Sequence, residues 1–130
     1  MSLVYIVMGL AMLQYLYFGI AVGGARGRYG IKAPATTGNE VFERYFRVQM
    51  NTLEQLIIFV PSMLLFARYV NVYVAAALGV VFLIGRALYF RGYVKAPQAR
   101  HVGFTLTAVA NLALLIGAII GAIAALSVRS

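Results

Sequence analysis

Residues 47–56 read RVQMNTLEQL, a run of arginine, asparagine, glutamate and glutamine whose continuation, LIIFVPSMLLFA, is almost wholly apolar. At about 100° per residue, Arg47, Asn51, Glu54 and Gln55 fall within about 100° of arc on one helix face, and Gln49 points elsewhere. An ionised side chain inside lipid costs several kcal/mol unless it is paired or sits in a wet cavity. Arg47 and Glu54 must therefore meet each other, another chain or a ligand. A guanidinium binds a carboxylate through two parallel N–H bonds and keeps its charge, which suits a small ligand carrying several carboxylates. Glu54 would recognise an amine on the same molecule. The alternative open to the same residues is an ion-pair network that only orders helices.

Further along the chain, Arg86, Tyr89 and Tyr93 share a second helix face. Alone, the tyrosines read as an interfacial aromatic belt and Arg86 as an arginine that snorkels to the headgroups. Their agreement in depth with the first stripe makes them candidate ligand contacts instead. Arg100 follows Pro97 and precedes another apolar run, beside the positive end of a helix dipole. A ligand thiol brought there would be favoured as thiolate, which activates a nucleophile without a general base. The competing reading is an arginine beside anionic headgroups. His101 reads as interfacial and Asn111 as an interhelical hydrogen-bond partner. Ser-His-Asp catalysis is excluded, because the chain has no aspartate.

The elements that must carry these residues follow from composition. The chain has 130 residues, 63% apolar, with a mean hydropathy of +0.90, well beyond an ordinary soluble domain. It has no cysteine and one histidine, so the expected metal site is none. The net charge of +8 belongs with anionic lipid and topology; no basic stretch forms a soluble module, and no nucleic-acid partner is expected.

A bilayer core about 30 Å thick takes roughly 20 apolar residues as helix. Four such runs are expected, at approximately residues 3–24, 47–68, 72–91 and 102–126, in a single domain over 1–130. The fold class is all-α integral membrane, a four-transmembrane-helix bundle. The first run is too long and too weakly charged at its start for a signal peptide and is expected to stay. Residues 25–46 read as a long polar loop, 68–71 as a tight turn, and RGYVKAPQAR (91–100) as a basic connection. Nine of the eleven basic residues, all but Arg68 and Arg129, lie at the first and third connections. The positive-inside bias makes that face cytoplasmic. Gly117 and Gly121 make a small-xxx-small pair that implies packing, and uninterrupted spans argue against a transporter.

PATTGNEVFERYFRVQMNTLEQ, followed by GRALYFRGYVKAPQAR, resembles the membrane-associated proteins in eicosanoid and glutathione metabolism (the MAPEG family), which include microsomal glutathione transferases and leukotriene C4 synthase. The resemblance implies a homotrimer of four-helix protomers with glutathione, as substrate, held between neighbouring subunits at the cytoplasmic face. The family's binding arginine, asparagine and glutamate match Arg47, Asn51 and Glu54; its glutamine matches Gln49, which would reach glutathione from the adjacent subunit. Its first-helix arginine matches Arg26, its tyrosines Tyr89 and Tyr93, and its thiolate-stabilising arginine Arg100. Gln55 and, additionally, Arg86 complete the candidate set.

The chain has Gly27 where leukotriene C4 synthase has a second arginine and Gln55 where it has a tyrosine, which argues against a leukotriene-specific role. The expected activity is conjugation of glutathione to a hydrophobic electrophile entering from membrane lipid, with reduction of a lipid hydroperoxide or isomerisation as related chemistries. The NTLEQ form resembles bacterial members, so the expected location is a bacterial inner membrane. The competing class is a non-catalytic lipid-binding or scaffold protein, like the family's five-lipoxygenase-activating protein.

Overall fold

The computed structural model describes residues 1–129, and these form four long helices: α1 (Ser2–Tyr29), α2 (Glu40–Tyr69), α3 (Val72–Lys95) and α4 (His101–Arg129), with a short 3-10 helix (Pro97–Arg100) before α4. Each is long and apolar enough to cross a bilayer. Their most apolar windows are only 22–39% buried within the protomer, so most of the apolar surface faces outward, as a lipid-solvated bundle requires. The all-α, four-helix membrane fold read from the sequence is the fold observed.

Three helix ends beside the first and third connections differ from the sequence expectation, and α4 runs past 126 to Arg129. α1 continues past Gly24 to Tyr29 and α2 begins at Glu40, so the connection expected over 25–46 shrinks to residues 30–39. Hydropathy marks where lipid ends, whereas local capping marks where the helix ends. Gly30 closes α1 in the left-handed region (φ 68°), and both it and Ile31 donate their N–H to the Arg26 carbonyl. Asn39 opens α2: its Oδ1 accepts from the N–H of Val41 (2.9 Å) and Phe42 (3.0 Å). Glu40 and Glu43 stand in the first turn, where they favour the helix dipole, and the Gly38 N–H donates to Glu43 Oε2 at 3.2 Å. α3 also runs beyond 91, to Lys95, and stops before Pro97 with Ala96 extended (φ −161°, ψ 139°). The tight turn after Arg68 is present, with Asn71 capping α3.

α1 and α4 each pack on α2 and α3. The core centres on Phe59 stacked against Phe82 (ring centroids 3.9 Å apart), with Val4, Val7, Met63 and Leu114 around the pair. α3 and α4 cross with backbones nearly touching. A Cβ at Gly103 would run into the Tyr89 backbone nitrogen, and one at Gly85 would lie 2.9 Å from Thr107 N. Gly117 faces the Phe66 ring and Gly121 faces Tyr69 and Val70, so this glycine pair serves packing. The N-terminal end of α2 is tied to the C-terminal end of α3, where Arg44 Nη1 donates to the carbonyls of Val94 (3.2 Å) and Lys95 (2.9 Å). The first and third connections therefore share one end of the bundle, the end that gathers the basic residues.

Candidate functional site

At that end, α2, α3 and α4 enclose a cleft of about 420 Å³ lined by Arg47, Asn51, Glu54, Tyr89, Tyr93, Arg100 and Phe104. Helical spacing does most of the placement: Arg47, Asn51 and Glu54 recur on one face of α2, and Tyr89 and Tyr93 lie one turn apart on α3. The two tyrosine rings stack with centroids 5.4 Å apart, and Tyr89 meets the Phe104 ring at 6.5 Å. The Arg100 guanidinium lies 5.9 Å from the Tyr93 ring centroid, at the threshold of α4. A second cleft of about 410 Å³ adjoins it, shares Arg47 and Tyr93, and is lined by Thr36, Thr37, Glu40, Glu43, Arg44 and Phe46.

Arg47 and Glu54 are both exposed in the protomer. They stand seven positions apart on α2, about 10 Å of helix rise, and do not meet. Among the described residues neither closes a hydrogen bond or an ion pair. The intrahelical form of the ion-pair network is therefore absent, and the cleft presents separate cationic and anionic groups. Such a surface suits a ligand with both kinds of charge.

The other candidates lie outside this cleft. Arg26 is half-buried, donates from Nη1 to the Ala35 carbonyl at 2.7 Å and sits over the Phe42 ring at 4.9 Å, so it braces the connection between α1 and α2. Gln49 faces α1, its Nε2 3.1 Å from where a Cβ on Gly19 would stand. Gln55, expected on the same stripe as Glu54, turns to α4 instead, its Oε1 accepting from Asn111 Nδ2 at 2.9 Å beside a smaller apolar groove of about 170 Å³. The expectation that Asn111 serves interhelical bonding holds. Arg86, which sequence reading offered as a ligand contact or a snorkelling side chain, does neither. It is 0% exposed and lies inside the bundle.

Sequence reasoning missed Thr52 and Thr107, the hydroxyls that accept from Arg86, and Phe104, which walls the cleft. Thr52 lies next to Asn51 in sequence but on the inward side of α2, and a threonine in an apolar span attracts no notice without knowing what faces it. Phe104 stands one turn after Arg100, a spacing that was legible.

A family model described as the MAPEG family matches residues 4–120. An uncharacterized Synechocystis protein is 50% identical over 115 residues, covering 88% of this chain and 84% of its own. Human microsomal glutathione S-transferase 2 is 40% identical over 111 residues, covering 85% of this chain and 76% of its own. Bovine leukotriene C4 synthase is 34% identical over 91 residues, covering 70% of this chain and 61% of its own. With four membrane-spanning helices, a family match over most of its length and relatives of this kind, the chain belongs to the MAPEG family.

Proposed function

We propose that the protein is an integral membrane glutathione transferase. Arg47 and Asn51 bind carboxylate and carbonyl groups of glutathione, Glu54 binds its ammonium, Tyr89 and Tyr93 wall the site, and Arg100 stabilises the thiolate. The observation that carries this reading is the single cleft lined together by Arg47, Asn51, Glu54 and Arg100. The relatives named glutathione transferase support the same substrate. Gln55 is left out, because its carboxamide is occupied by Asn111. Arg26 and Gln49 reach glutathione from an adjacent subunit of a homotrimer. The cleft opens at the bundle end that holds nine of eleven basic residues, which by the positive-inside bias is the cytoplasmic end, in a bacterial inner membrane.

In the reaction, the thiolate sulfur forms a bond to an electrophilic carbon of a hydrophobic substrate arriving from the bilayer. The displaced electron pair leaves with the departing group or, with an epoxide, stays on the oxygen, which takes a proton from water. The same thiolate supports reduction of a lipid hydroperoxide to its alcohol and water, with two glutathiones oxidised to the disulfide.

The test is ultraviolet difference absorbance of the glutathione thiolate on mixing with detergent-purified protein at neutral pH, with an Arg100→Ala control. A thiolate signal lost in the control is expected. No signal and no heat of binding would overturn the transferase and favour a scaffold in which the polar stripe joins subunits.

A further inference from the structure

Arg86 is the largest side chain fully enclosed by the bundle. Its Nε donates to Thr107 Oγ1 at 3.0 Å, and its Nη1 donates to Asn51 Oδ1 at 2.7 Å and to Thr52 Oγ1 at 3.2 Å. The guanidinium lies over the Tyr89 ring, 4.4 Å from its centroid, and the buried Nη2 has no hydrogen-bond partner. Thr107 donates its own hydroxyl to the Gly103 carbonyl at 2.9 Å, so its oxygen is committed as an acceptor towards Arg86. One side chain on α3 thus grips α2 and α4 behind the cleft, and the shortest of its bonds goes to a residue that lines it.

The chemistry of that bond is directional. A guanidinium only donates, so the end of the Asn51 carboxamide that faces Arg86 is its oxygen, and the end left to the cleft is the amide nitrogen. Asn51 taken alone is ambivalent; Asn51 beside Arg86 offers the cleft only N–H donors. We propose that Arg86 is a positioning residue that fixes the Asn51 amide, so that the cleft selects a ligand carboxylate or peptide carbonyl at that point. This rests on the proposed function. It assigns to Arg86 no contact with substrate, and gives its burial a purpose beyond holding helices together.

The test is a double-mutant cycle read by calorimetry of glutathione binding to the detergent-purified protein, with thermal unfolding of each variant alongside. Arg86→Lys keeps a charge but cannot span Asn51 and Thr107 together, and it is expected to weaken binding about tenfold. In an Asn51→Ala background the same substitution is expected to change affinity less than about twofold, because no amide remains to be oriented. A helix clamp without a positioning role would lose the same factor in both backgrounds, and that result would overturn the proposal. Asn51→Asp, which keeps an oxygen for Arg86 and removes the donor, is expected to bind glutathione at least as weakly as Asn51→Ala; wild-type affinity there would overturn the proposal even if Arg86→Lys does not fold. Absence of heat with the wild-type protein would overturn the proposed function and this role together, whereas heat with an additive cycle would overturn the role alone.

Discussion

Replacing Arg100 by alanine removes the guanidinium at the threshold of α4, and its effect can be sized. A unit positive charge about 4 Å from a thiolate stabilises it by about 4 kcal/mol at an effective dielectric of about 20. Arg100 is exposed, and solvent and salt screen it; about half of that energy remains, equivalent to about 1.5 pKa units. A thiol that ionises near about 8.5 when free would then titrate near about 7 in the site, about half ionised at neutral pH, against about 3% in the variant. The stabilised thiolate is also a weaker nucleophile, which offsets the gain about fivefold, so turnover at neutral pH is expected to fall between about threefold and 15-fold. The bound thiol is stabilised as anion, so its pKa is depressed: the advantage is present above the site's pKa, lost as pH falls through it, and shared by the variant once pH exceeds about 8.5. The assay is thiolate absorbance against pH for both proteins, with turnover and glutathione affinity at each pH. The absorbance midpoint is expected to move up by about 1.5 units in the variant, with affinity changed less than turnover. An unmoved midpoint, or a loss of turnover that persists unchanged at high pH, would refute the role.

Glu54→Gln keeps the shape of the cleft and removes the one carboxylate that lines it, so glutathione binding measured by calorimetry is expected to weaken by about tenfold or more while maximal turnover changes less. Asn111→Leu removes the bond to Gln55 and is expected to lower stability in detergent by about 1 kcal/mol with glutathione affinity unchanged; a comparable loss of affinity would return Gln55 to the site. Gly103→Ala sets a methyl group against the Tyr89 backbone and is expected to destabilise the bundle by several kcal/mol, read as a large fall in unfolding temperature. Asn39→Ala removes the two accepted bonds that open α2 and is expected to lower stability by about 1 kcal/mol without altering the cleft's chemistry.

The spans were legible because lipid imposes a single rule, about 20 apolar residues in a helix, and the basic end was legible because only two of the eleven cations depart from it. Helical periodicity also placed Arg47, Asn51 and Glu54 together correctly, since spacing on one helix requires no knowledge of its neighbours. It failed at Gln55. An arc of one helix can face two partners, and α4 takes the edge of the stripe through Asn111. It failed more fully at Arg86. Sequence gives an arginine's charge and depth, but its enclosure depends on Thr52 and Thr107 arriving from two other helices, and on glycines that let α3 and α4 approach closely. The helix ends were misjudged because hydropathy reports lipid contact, while Asn39 and Gly30 act through backbone hydrogen bonds that hydropathy does not register.

The placement of Gln49 and Arg26 leads to the most demanding prediction. Within one protomer α2 presents Arg47, Asn51 and Glu54 to the cleft beside α4, while Gln49 turns to Gly19 on α1 and Arg26 braces the connection between α1 and α2. Within one subunit the two sets lie on different sides of the same helix. In the proposed homotrimer a neighbouring copy supplies the second set, and a closed ring repeats that contact at every junction. If Gln49 serves the neighbour's cleft as proposed, subunits carrying Gln49→Ala and subunits carrying Arg47→Ala, each inactive when assembled alone, should complement when co-expressed. At equal mixing, an intact Arg47 cleft meets an intact Gln49 neighbour at about one junction in four, so activity should recover to about a quarter of wild type. A site built within one subunit leaves every subunit defective and recovers nothing. Recovery near a quarter therefore requires a shared site, and activity no higher than that of the separate variants would break the link between Gln49 and the neighbouring cleft.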